Sequence, residues 1–273
     1  MARVAMAMSG GVDSSVAAAL LKEQGHEVIG LHMKLYHGPE NGSRQKSCCS
    51  LDEAIDARSA CHRLDIPFYV LDYQKEFRET VIDYFISEYS NGQTPNPCVM
   101  CNKKIKSDLL LKKVDELDCE FLATGHYARV YDNPENGRPQ LARPQDLRKD
   151  QTYFLYGIPA HELPRLMFPL AEIIKPEVRK IACKLNLSAA KKPDSQEICF
   201  VPKDYKTFLK QEMKTAPEPG EFISVSGEVL GEHTGLPFYT IGQRRGLGLS
   251  DTTPYYVIKI DKAQNRVVLG KEA

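Results

Sequence analysis

Residues 2–15 read ARVAMAMSGGVDSS, and this stretch decides the fold. The apolar run before Ser9 predicts a buried strand, and the residues from Asp13 to Gln24 predict a helix. Gly10 and Gly11 let the backbone turn tightly and approach a ligand, and a helix N-terminus favours phosphate. No lysine follows the glycines, so the turn is not a Walker A loop. Its glycine spacing also differs from that of a GxGxxG loop. We therefore predict a phosphate site here. The simpler alternative is a glycine turn with an Asp or Ser helix cap.

Strands and helices alternate through the first two-thirds of the chain. Further strands are predicted over residues 26–36, 67–73 and 119–131, and helices over residues 51–64, 76–89, 104–117, 150–156 and 176–185. This alternation is typical of a parallel sheet with helices on both faces, which is a Rossmann-like α/β fold. After a short helix at 205–213, brief β-rich runs are separated by Gly and Pro. We predict a catalytic domain over residues 1–203 and a small β-rich, RNA-contacting domain over residues 204–273.

Composition sets limits on the compartment and on partners. The chain has 273 residues, of which 42% are hydrophobic and 26% charged, and its formal net charge is zero. Because no run approaches about 18 apolar residues and the N-terminal run leads straight into a glycine turn, we expect neither a membrane span nor a signal peptide. The expected compartment is the cytoplasm. Local basic groups remain, and Arg244 with Arg245 is either a phosphate contact or ordinary surface charge.

The eight cysteines are expected to be thiols, metal ligands or catalytic groups in a cytosolic chain. Three lie in apolar patterns and are predicted to be buried: Cys61, Cys119 and Cys183. The adjacent pair Cys48 and Cys49 has no assigned mechanism.

A CxxC motif forms the second chemical feature. Cys98 and Cys101 lie between prolines and a predicted helix, with Lys103 and Lys104 beside them. A helix N-terminus and neighbouring lysines lower the pKa of a thiol. Cys199 is a candidate partner, because loops at the carboxyl ends of strands converge in this fold class. Alternatives are buried thiols, a redox CxxC or a zinc site, for which four ligands are needed.

Eight motifs together give a resemblance to a known family. In order they are MSGGVDSS (8–15), GLHMK (30–34), CCSLDEAIDAR (48–58), TPNPCVMCNKKIK (94–106), ATGHYAR (123–129), RKDQTYFL (148–155), PDSQEICF (193–200) and GQRRGLG (242–248). The chain resembles the tRNA 2-thiouridylases, which are N-type ATP pyrophosphatases with a PP-loop. The resemblance covers nearly the whole chain. Longer members continue into another β-barrel domain, which we expect this chain to lack.

The resemblance implies a set of site residues. The ATP phosphates would contact Ala7, Met8, Ser9, Gly10, Gly11, Val12, Asp13 and Ser14. The adenosine part would contact Met33 and Gly125, with Mg²⁺ near Asp13. His126 is either a further nucleotide contact or a structural histidine. The target base would approach Asn96, Pro97 and Cys98, and the tRNA would contact Lys149, Asp150 and Gln151.

The implied reaction replaces O2 of the wobble uridine of tRNA with sulfur. ATP adenylates that oxygen, and sulfur then displaces AMP. In one route Cys199 carries a persulfide and Cys101 releases the sulfur, which leaves a disulfide. The base must leave its stack to be reached. The sulfur donor would be a persulfide carrier protein or free sulfide.

One position departs from the family pattern. Many members carry an aspartate where this chain has Cys98, so Cys98, Cys101 and Cys199 form a possible three-thiolate set. Three thiolates can hold a four-iron, four-sulfur cluster with one open iron. The persulfide and cluster routes both remain open. Two other functions are alternatives: a PP-loop amidating ligase acting on a small molecule, and a non-catalytic, zinc-stabilised RNA-binding module.

Overall fold

The computed structural model describes residues 1–36, 51–194, 198–201 and 204–272. Cys48 and Cys49 lie outside these ranges, as does the centre of the 193–200 motif. The chain divides into two compact units, the first formed by residues 1–81 and 98–200 and the second by residues 82–97 and 201–273. Within the described ranges, no helix combines the length and apolar character that crossing a bilayer requires.

The first unit is built on a five-stranded parallel sheet in the order β3-β2-β1-β4-β7. Its strands are β1 (Arg3–Ala7), β2 (Glu27–Lys34), β3 (Phe68–Asp72), β4 (Phe121–Ala123) and β7 (Leu166–Met167). A separate antiparallel hairpin pairs β5 (Arg129–Asp132) with β6 (Pro139–Ala142). Because β1 is central, the strand order reverses beside it. Open α/β sheets bind ligands at such a point, next to the carboxyl ends of the strands.

Helices follow the strands, as the alternation predicts. In the first unit they are α1 (Val12–Glu23), α2 (Leu51–Arg63), α3 (Gln74–Phe77), α5 (Pro97–Cys101), α6 (Leu110–Glu116) and α7 (Lys175–Lys184). A π-helical segment, Asn102–Leu109, joins α5 to α6, and another, Arg78–Ile82, joins α3 to α4 (Asp83–Ser90).

Alternate residues of β1 enter opposite cores. Val4 and Met6 pack in an apolar cluster with residues of α1, α2 and α7. Ala5 and Ala7 pack in another cluster, with residues of α6. Side chains alternate across a strand, so a strand that is apolar at every position is buried on both faces. The predicted Rossmann-like sheet with helices on both faces is confirmed.

The second unit is rich in β-structure, as predicted. Its sheet has the order β10-β11-β8-β9. The strands are β8 (Gly220–Ser224), β9 (Val229–His233), β10 (Tyr256–Asp261) and β11 (Arg266–Gly270). Pairing is antiparallel except between β11 and β8, which run parallel. Helix α8 (Tyr205–Glu212) belongs to this unit, and Asp204 caps it by accepting a hydrogen bond from the amide of Thr207.

Three local predictions are wrong. Residues 119–131 are not one strand, because β4 ends at Ala123 and the backbone re-forms a strand only at Arg129. Residues 150–156 are not an α-helix and contain only a short 3₁₀ turn, Thr152–Phe154. Here Thr152 donates from both its amide and its hydroxyl to Asp150, a local bond that competes with helix formation. Cys183 is exposed rather than buried, whereas Cys61 and Cys119 are buried as predicted.

Candidate nucleotide and thiol site

The glycine turn after β1 is tightly built. Gly10 has φ +78°, and a side chain there would overlap the backbone carbonyl of Glu53. Helix α1 begins with Gly11 as its N-cap, and within the described residues no side chain caps it. The simpler alternative of an Asp or Ser cap is therefore not what forms. An uncapped helix start behind a glycine turn is suited to binding phosphate.

Serine hydroxyl groups hold this turn from behind. The Ser14 hydroxyl accepts a hydrogen bond from the Ser9 amide at 3.2 Å and donates to the Gly11 carbonyl at 3.2 Å. The Ser15 hydroxyl also donates to Gly11, at 2.9 Å. Ser9 is exposed, whereas Ser14 and Ser15 are buried. The turn is thus shaped by its own helix, and Ser9 is the hydroxyl group that faces outward.

A network of charged side chains, of which only Lys175 is buried, lies beside the turn. Lys175, at the first position of α7 and 7% exposed, contacts both carboxylate oxygens of Asp13 at 2.7 Å. The same ammonium group lies 2.8 Å from Asp194. Asp194 also pairs with Lys149 and Arg179, each at 2.7 Å. The network joins Asp13, at the start of α1, to Asp194, which lies five residues before Cys199 in the sequence.

The charges around Asp194 determine its ionisation. Burial alone would raise the pKa of Asp194, but hydrogen bonds from Lys149 and Lys175 outweigh burial and lower the pKa to about 2. Asp194 is therefore a carboxylate at neutral pH.

Asp13 has two protein partners, Lys175 and the hydroxyl group of Tyr127, which donates to it at 3.0 Å. Burial raises the pKa of Tyr127, and the neighbouring Asp13 carboxylate raises it further. Tyr127 therefore stays protonated and acts as a donor. Asp13 pairs with Lys175, and its expected position near Mg²⁺ stays a prediction. Across the described ranges, no three His, Cys, Asp or Glu side chains form a group that could hold a metal ion.

Gly125 lies against the start of α1. A Cβ atom at this position would lie 2.7 Å from the amide nitrogen of Ser14 and 2.9 Å from the carbonyl carbon of Asp13. Such distances are too short for any side chain, so only glycine fits without a backbone shift. This close approach explains why β4 stops at Ala123. It brings the end of β4 to the phosphate turn, although contact with adenosine remains a prediction for Gly125.

His126 is held on both ring nitrogens. Nδ1 lies 2.7 Å from the Thr124 hydroxyl oxygen, and Nε2 lies 3.5 Å from the ammonium nitrogen of Lys106. Burial, and then the charge of Lys106, lower the pKa of His126 well below its usual value. The ring is neutral at physiological pH, and its partners favour the structural interpretation.

The CxxC motif occupies the first turns of a helix, as predicted. Helix α5 starts at Pro97, which is buried, and continues without a break into the π-helical segment. Cys98 and Cys101 are half-buried. Asn102 is 3% exposed and donates to the Phe154 carbonyl at 3.0 Å. This bond fixes the start of the π-helical segment to the 148–155 motif, in which Phe154 lies.

Cys199 is positioned by the aromatic residue next to it. Phe200 is 2% exposed, and its ring centroid lies 5.7 Å from that of Phe77 and 6.3 Å from that of Tyr36. Cys199 itself is half-buried. In the described conformation it does not join Cys98 and Cys101 in a metal-binding group. The meeting of these thiols remains a prediction.

The three residues expected to contact tRNA have internal roles. Lys149 pairs with Asp194, as described above, and Asp150 pairs with Arg143 at 2.6 Å. Gln151 exchanges two hydrogen bonds with Tyr127, accepting from its amide at 2.9 Å and donating to its carbonyl at 3.0 Å. These bonds fix the loop, and RNA contact remains a prediction for all three.

Two further predicted site residues are Met33 and Asn96. Met33 is half-buried on β2 and packs at the edge of the cluster that contains Ala5. Asn96 is half-exposed and groups by contacts with the second unit. Their roles toward adenosine and the target base stay predictions.

Sequence reasoning missed the central cation of the site. Lys175 is not among the predicted site residues, because a single lysine at a helix start is typical of ordinary surface charge. The available signal was its setting, between the apolar residues Ile173 and Ile174 and the helix-starting Pro176. Arg179 lies one turn later on the same helix and was missed for the same reason.

Comparison with known proteins agrees with this geometry. Residues 2–203 match the family model described as the tRNA methyl transferase HUP domain, and residues 206–271 match the tRNA methyl transferase PRC-barrel domain. The tRNA-specific 2-thiouridylase MnmA of Carboxydothermus hydrogenoformans is 51% identical over 98% of this chain and 74% of its own length. The MnmA proteins of Symbiobacterium thermophilum and Chloroflexus aurantiacus are each 50% identical, over 99% and 100% of this chain and 71% and 76% of their own lengths.

Solved structures are more distantly similar. A 4-thiouridine synthetase in complex with RNA and ATP is 16% identical, with a TM-score of 0.48 over 77% of this chain and 50% of its own.

Proposed function

The chain belongs to the tRNA-specific 2-thiouridylase family. We propose that it converts the wobble uridine of tRNA to 2-thiouridine and that ATP is cleaved to AMP and pyrophosphate in the reaction. The observation that carries the proposal is the uncapped start of α1 behind Gly10, linked through Lys175 and Asp194 to the segment before Cys199. The phosphate turn and Asp194, which lies five residues before Cys199 in the sequence, thus share one charge network.

Sulfur transfer fits the residues better than the methyl transfer named in the family-model description. Methyl transfer requires a bound methyl donor but no paired thiols. This chain instead places a glycine turn suited to phosphate before α1 and a CxxC motif at the start of α5. Adenylation followed by attack of sulfur uses both features.

In the first step the turn from Ala7 to Ser14 binds the ATP phosphates. Mg²⁺, held by Asp13 together with phosphate oxygens, would neutralise the charge that develops on pyrophosphate. Few protein ligands are needed, because Mg²⁺ commonly uses one or two carboxylates plus phosphates and water. O2 of the uridine attacks the α-phosphorus, the bond to pyrophosphate breaks, and AMP remains on O2. Met33 and Gly125 contact the adenosine part.

In the second step a persulfide on Cys199 attacks C2 of the adenylated base, and AMP leaves with its oxygen. Sulfur now bridges C2 and the Cys199 sulfur. The Cys101 thiolate then attacks the Cys199 sulfur, and the electron pair of the broken S–S bond passes to the sulfur on the base. The products are thiouridine and a Cys101–Cys199 disulfide. A persulfide carrier protein reloads Cys199 after a thiol reductant opens the disulfide.

Each unit carries residues that we assign to RNA contact. Asn96, Pro97 and Cys98 approach the flipped target base, and the segment from Lys149 to Gln151 contacts the tRNA. In the second unit, Arg244 and Arg245 line one side of an open concavity of about 490 Å³. Arginine pairs bidentately with phosphate, so we assign these side chains to the RNA backbone. We therefore assign RNA contact to the predicted domain of residues 204–273, which lies within the second unit.

An iron–sulfur route is the second candidate, favoured by Cys98 at the position where many relatives carry an aspartate. Cys98, Cys101 and Cys199 have the ligand chemistry of a four-iron cluster with one open iron that takes sulfide. Their described placement does not form a metal group, so we derive no step through a cluster. The visible absorption of anaerobically purified protein separates the routes: a broad visible band with bound iron supports the cluster, and colourless, iron-free, active protein supports the persulfide.

The test is thiolation of tRNA with ATP, Mg²⁺ and a sulfur source, measured by mass spectrometry of nucleosides. We expect Cys199→Ala to abolish product, and Cys183→Ala, which removes an exposed thiol elsewhere on the unit, to retain it. Absence of thiolated product from the parent protein, with ATP-dependent release of pyrophosphate that Cys101→Ala and Cys199→Ala both retain in full, would instead favour an amidating ligase. One bound zinc per chain without ATP-dependent release of pyrophosphate would favour a non-catalytic RNA-binding module.

A further inference from the structure

Two tyrosines stand out on the surface of the first unit. Tyr153 is 65% exposed and Tyr156 is 68% exposed, more than any other Tyr or Phe of the described residues. Their ring centroids lie 6.0 Å apart, with the rings tilted by 47°. We call them the tyrosine pair. Exposed aromatic rings set close together can receive a nucleobase, because every base has a π-face.

The tyrosine pair is fixed to the CxxC helix. Between the two tyrosines, the Phe154 carbonyl accepts the hydrogen bond from Asn102 at 3.0 Å. Just after them, Gly157 packs so closely that a Cβ there would lie 3.2 Å from a methyl carbon of Val99 and 3.7 Å from Lys103. The backbone that carries the pair therefore touches the same helix that carries Cys98 and Cys101.

The backbone beneath the pair is also anchored from below. Leu155 is 1% exposed and Ile158 is 9% exposed, so the segment inserts apolar side chains into the core and turns the tyrosines outward. The Gln151 side chain accepts a hydrogen bond from the Tyr127 amide, and the Tyr127 hydroxyl group donates to Asp13 at the start of α1. A platform held this way loses little conformational freedom on binding.

Cationic residues that suit a nucleic acid lie near the pair in the sequence and against the backbone that follows it. Arg148 is exposed and lies five residues before Tyr153, and Lys103 lies beside Gly157. Aromatic rings flanked by cationic side chains are the usual composition of a site for single-stranded RNA, where rings stack on bases and cations meet phosphates. A protein partner would equally bury the rings, but the cations favour RNA.

We propose that the tyrosine pair stacks on an unpaired nucleotide of the tRNA anticodon loop, next to the wobble uridine. The inference rests on the proposed thiolation of that uridine. Extruding a base breaks its stacking with its neighbour, and the tyrosine pair supplies a replacement surface for that neighbour. The stacking is independent of base identity, so the platform serves tRNAs of different anticodon sequence.

The experiment compares Tyr153→Ala and Tyr156→Ala with the matched variants Tyr153→Phe and Tyr156→Phe, which keep the ring. Tyr69→Ala, which removes a half-exposed tyrosine from β3, is the control. The probe is an anticodon stem-loop with 2-aminopurine beside the wobble uridine, because stacking quenches its fluorescence. We measure the Kd for the stem-loop, the quenching, and KM and kcat for full-length tRNA.

We expect each alanine variant to weaken RNA binding by about tenfold, which corresponds to the usual strength of one base–aromatic stack. Quenching should fall and KM should rise, with kcat at saturating tRNA and ATP affinity unchanged. Phenylalanine variants and the control should match the parent. The inference is overturned if the alanine variants bind and quench like the parent, if phenylalanine is as harmful as alanine, or if only the response to the sulfur carrier changes. Failure of the parent protein to thiolate tRNA would refute the proposed function instead.

Discussion

Replacing Lys175 by methionine tests the charge network most directly. Methionine has a similar shape but no charge, so both Asp13 and Asp194 lose a partner at 2.7–2.8 Å. Removing one member of a buried ion pair typically costs about 3–5 kcal/mol. Here Asp194 keeps Lys149 and Arg179, so we expect about 2–3 kcal/mol in the free energy of unfolding. For a chain of this size that lowers Tm by about 5–10 °C.

The same substitution affects the nucleotide site. Without Lys175, the Asp13 carboxylate carries an uncompensated negative charge at the start of α1, which opposes ATP phosphates. We expect the Kd for ATP, measured by calorimetry, to rise by at least about tenfold, which is about 1.4 kcal/mol. Lys175→Arg, which keeps the charge, should restore part of both effects.

Lys180→Met is the control, because Lys180 is exposed on the same helix. Thermal unfolding and ATP titration are measured on all three variants. If Lys175→Met has the same Tm and the same Kd for ATP as the Lys180→Met control, the network contributes neither to stability nor to ATP binding, and the reasoning is refuted.

Three further predictions follow from single positions. Gly125→Ala would put a Cβ atom 2.7 Å from the amide nitrogen of Ser14, so ATP affinity should fall by at least about tenfold in calorimetry, and an unchanged Kd would contradict the close packing. The lowered pKa of Asp194, about 2, stabilises the fold above the unfolded pKa of about 3.9, and this stabilisation is lost as pH falls toward 2. Denaturant titrations should therefore show a steeper acid loss in the parent than in Asp194→Asn, and identical profiles would refute this. Burial raises the pKa of Cys61 to about 12, so alkylation of native protein at about pH 8 should label the exposed Cys183 and spare Cys61, as read by peptide mass spectrometry.

The parallel sheet could be predicted because its signals are local. An apolar strand, a glycine turn and a helix occur within residues 2–24, and the same alternation repeats along the chain. The position of the CxxC motif at a helix start also follows from local sequence, since Pro97 suits the first position of a helix.

The features that sequence reasoning missed depend on contacts between distant residues. Lys175 meets Asp13 across 162 positions, and no local pattern marks that pairing. The break after β4 arises because Gly125 lies against Ser14, again a distant contact. Residues 153–156 form an unbroken run of aromatic and apolar residues, and side-chain bonds to Asp150 and Tyr127 fix a backbone path other than the predicted helix. Cys183 was misplaced because an apolar neighbourhood in sequence does not determine which face of a helix a residue occupies.

The second unit contains an early part of the chain, and this affects the design of a truncated protein. Residues 82–97 precede the CxxC motif but group with residues 201–273. Phe85 and Tyr89 of α4 are buried there, with ring centroids 6.0 Å from Phe208 and 4.8 Å from Tyr205. Truncation after residue 203 would remove these partners, expose the rings of Phe85 and Tyr89 to solvent and promote aggregation. An isolated catalytic fragment would need polar replacements at both positions, or a linker in place of α4.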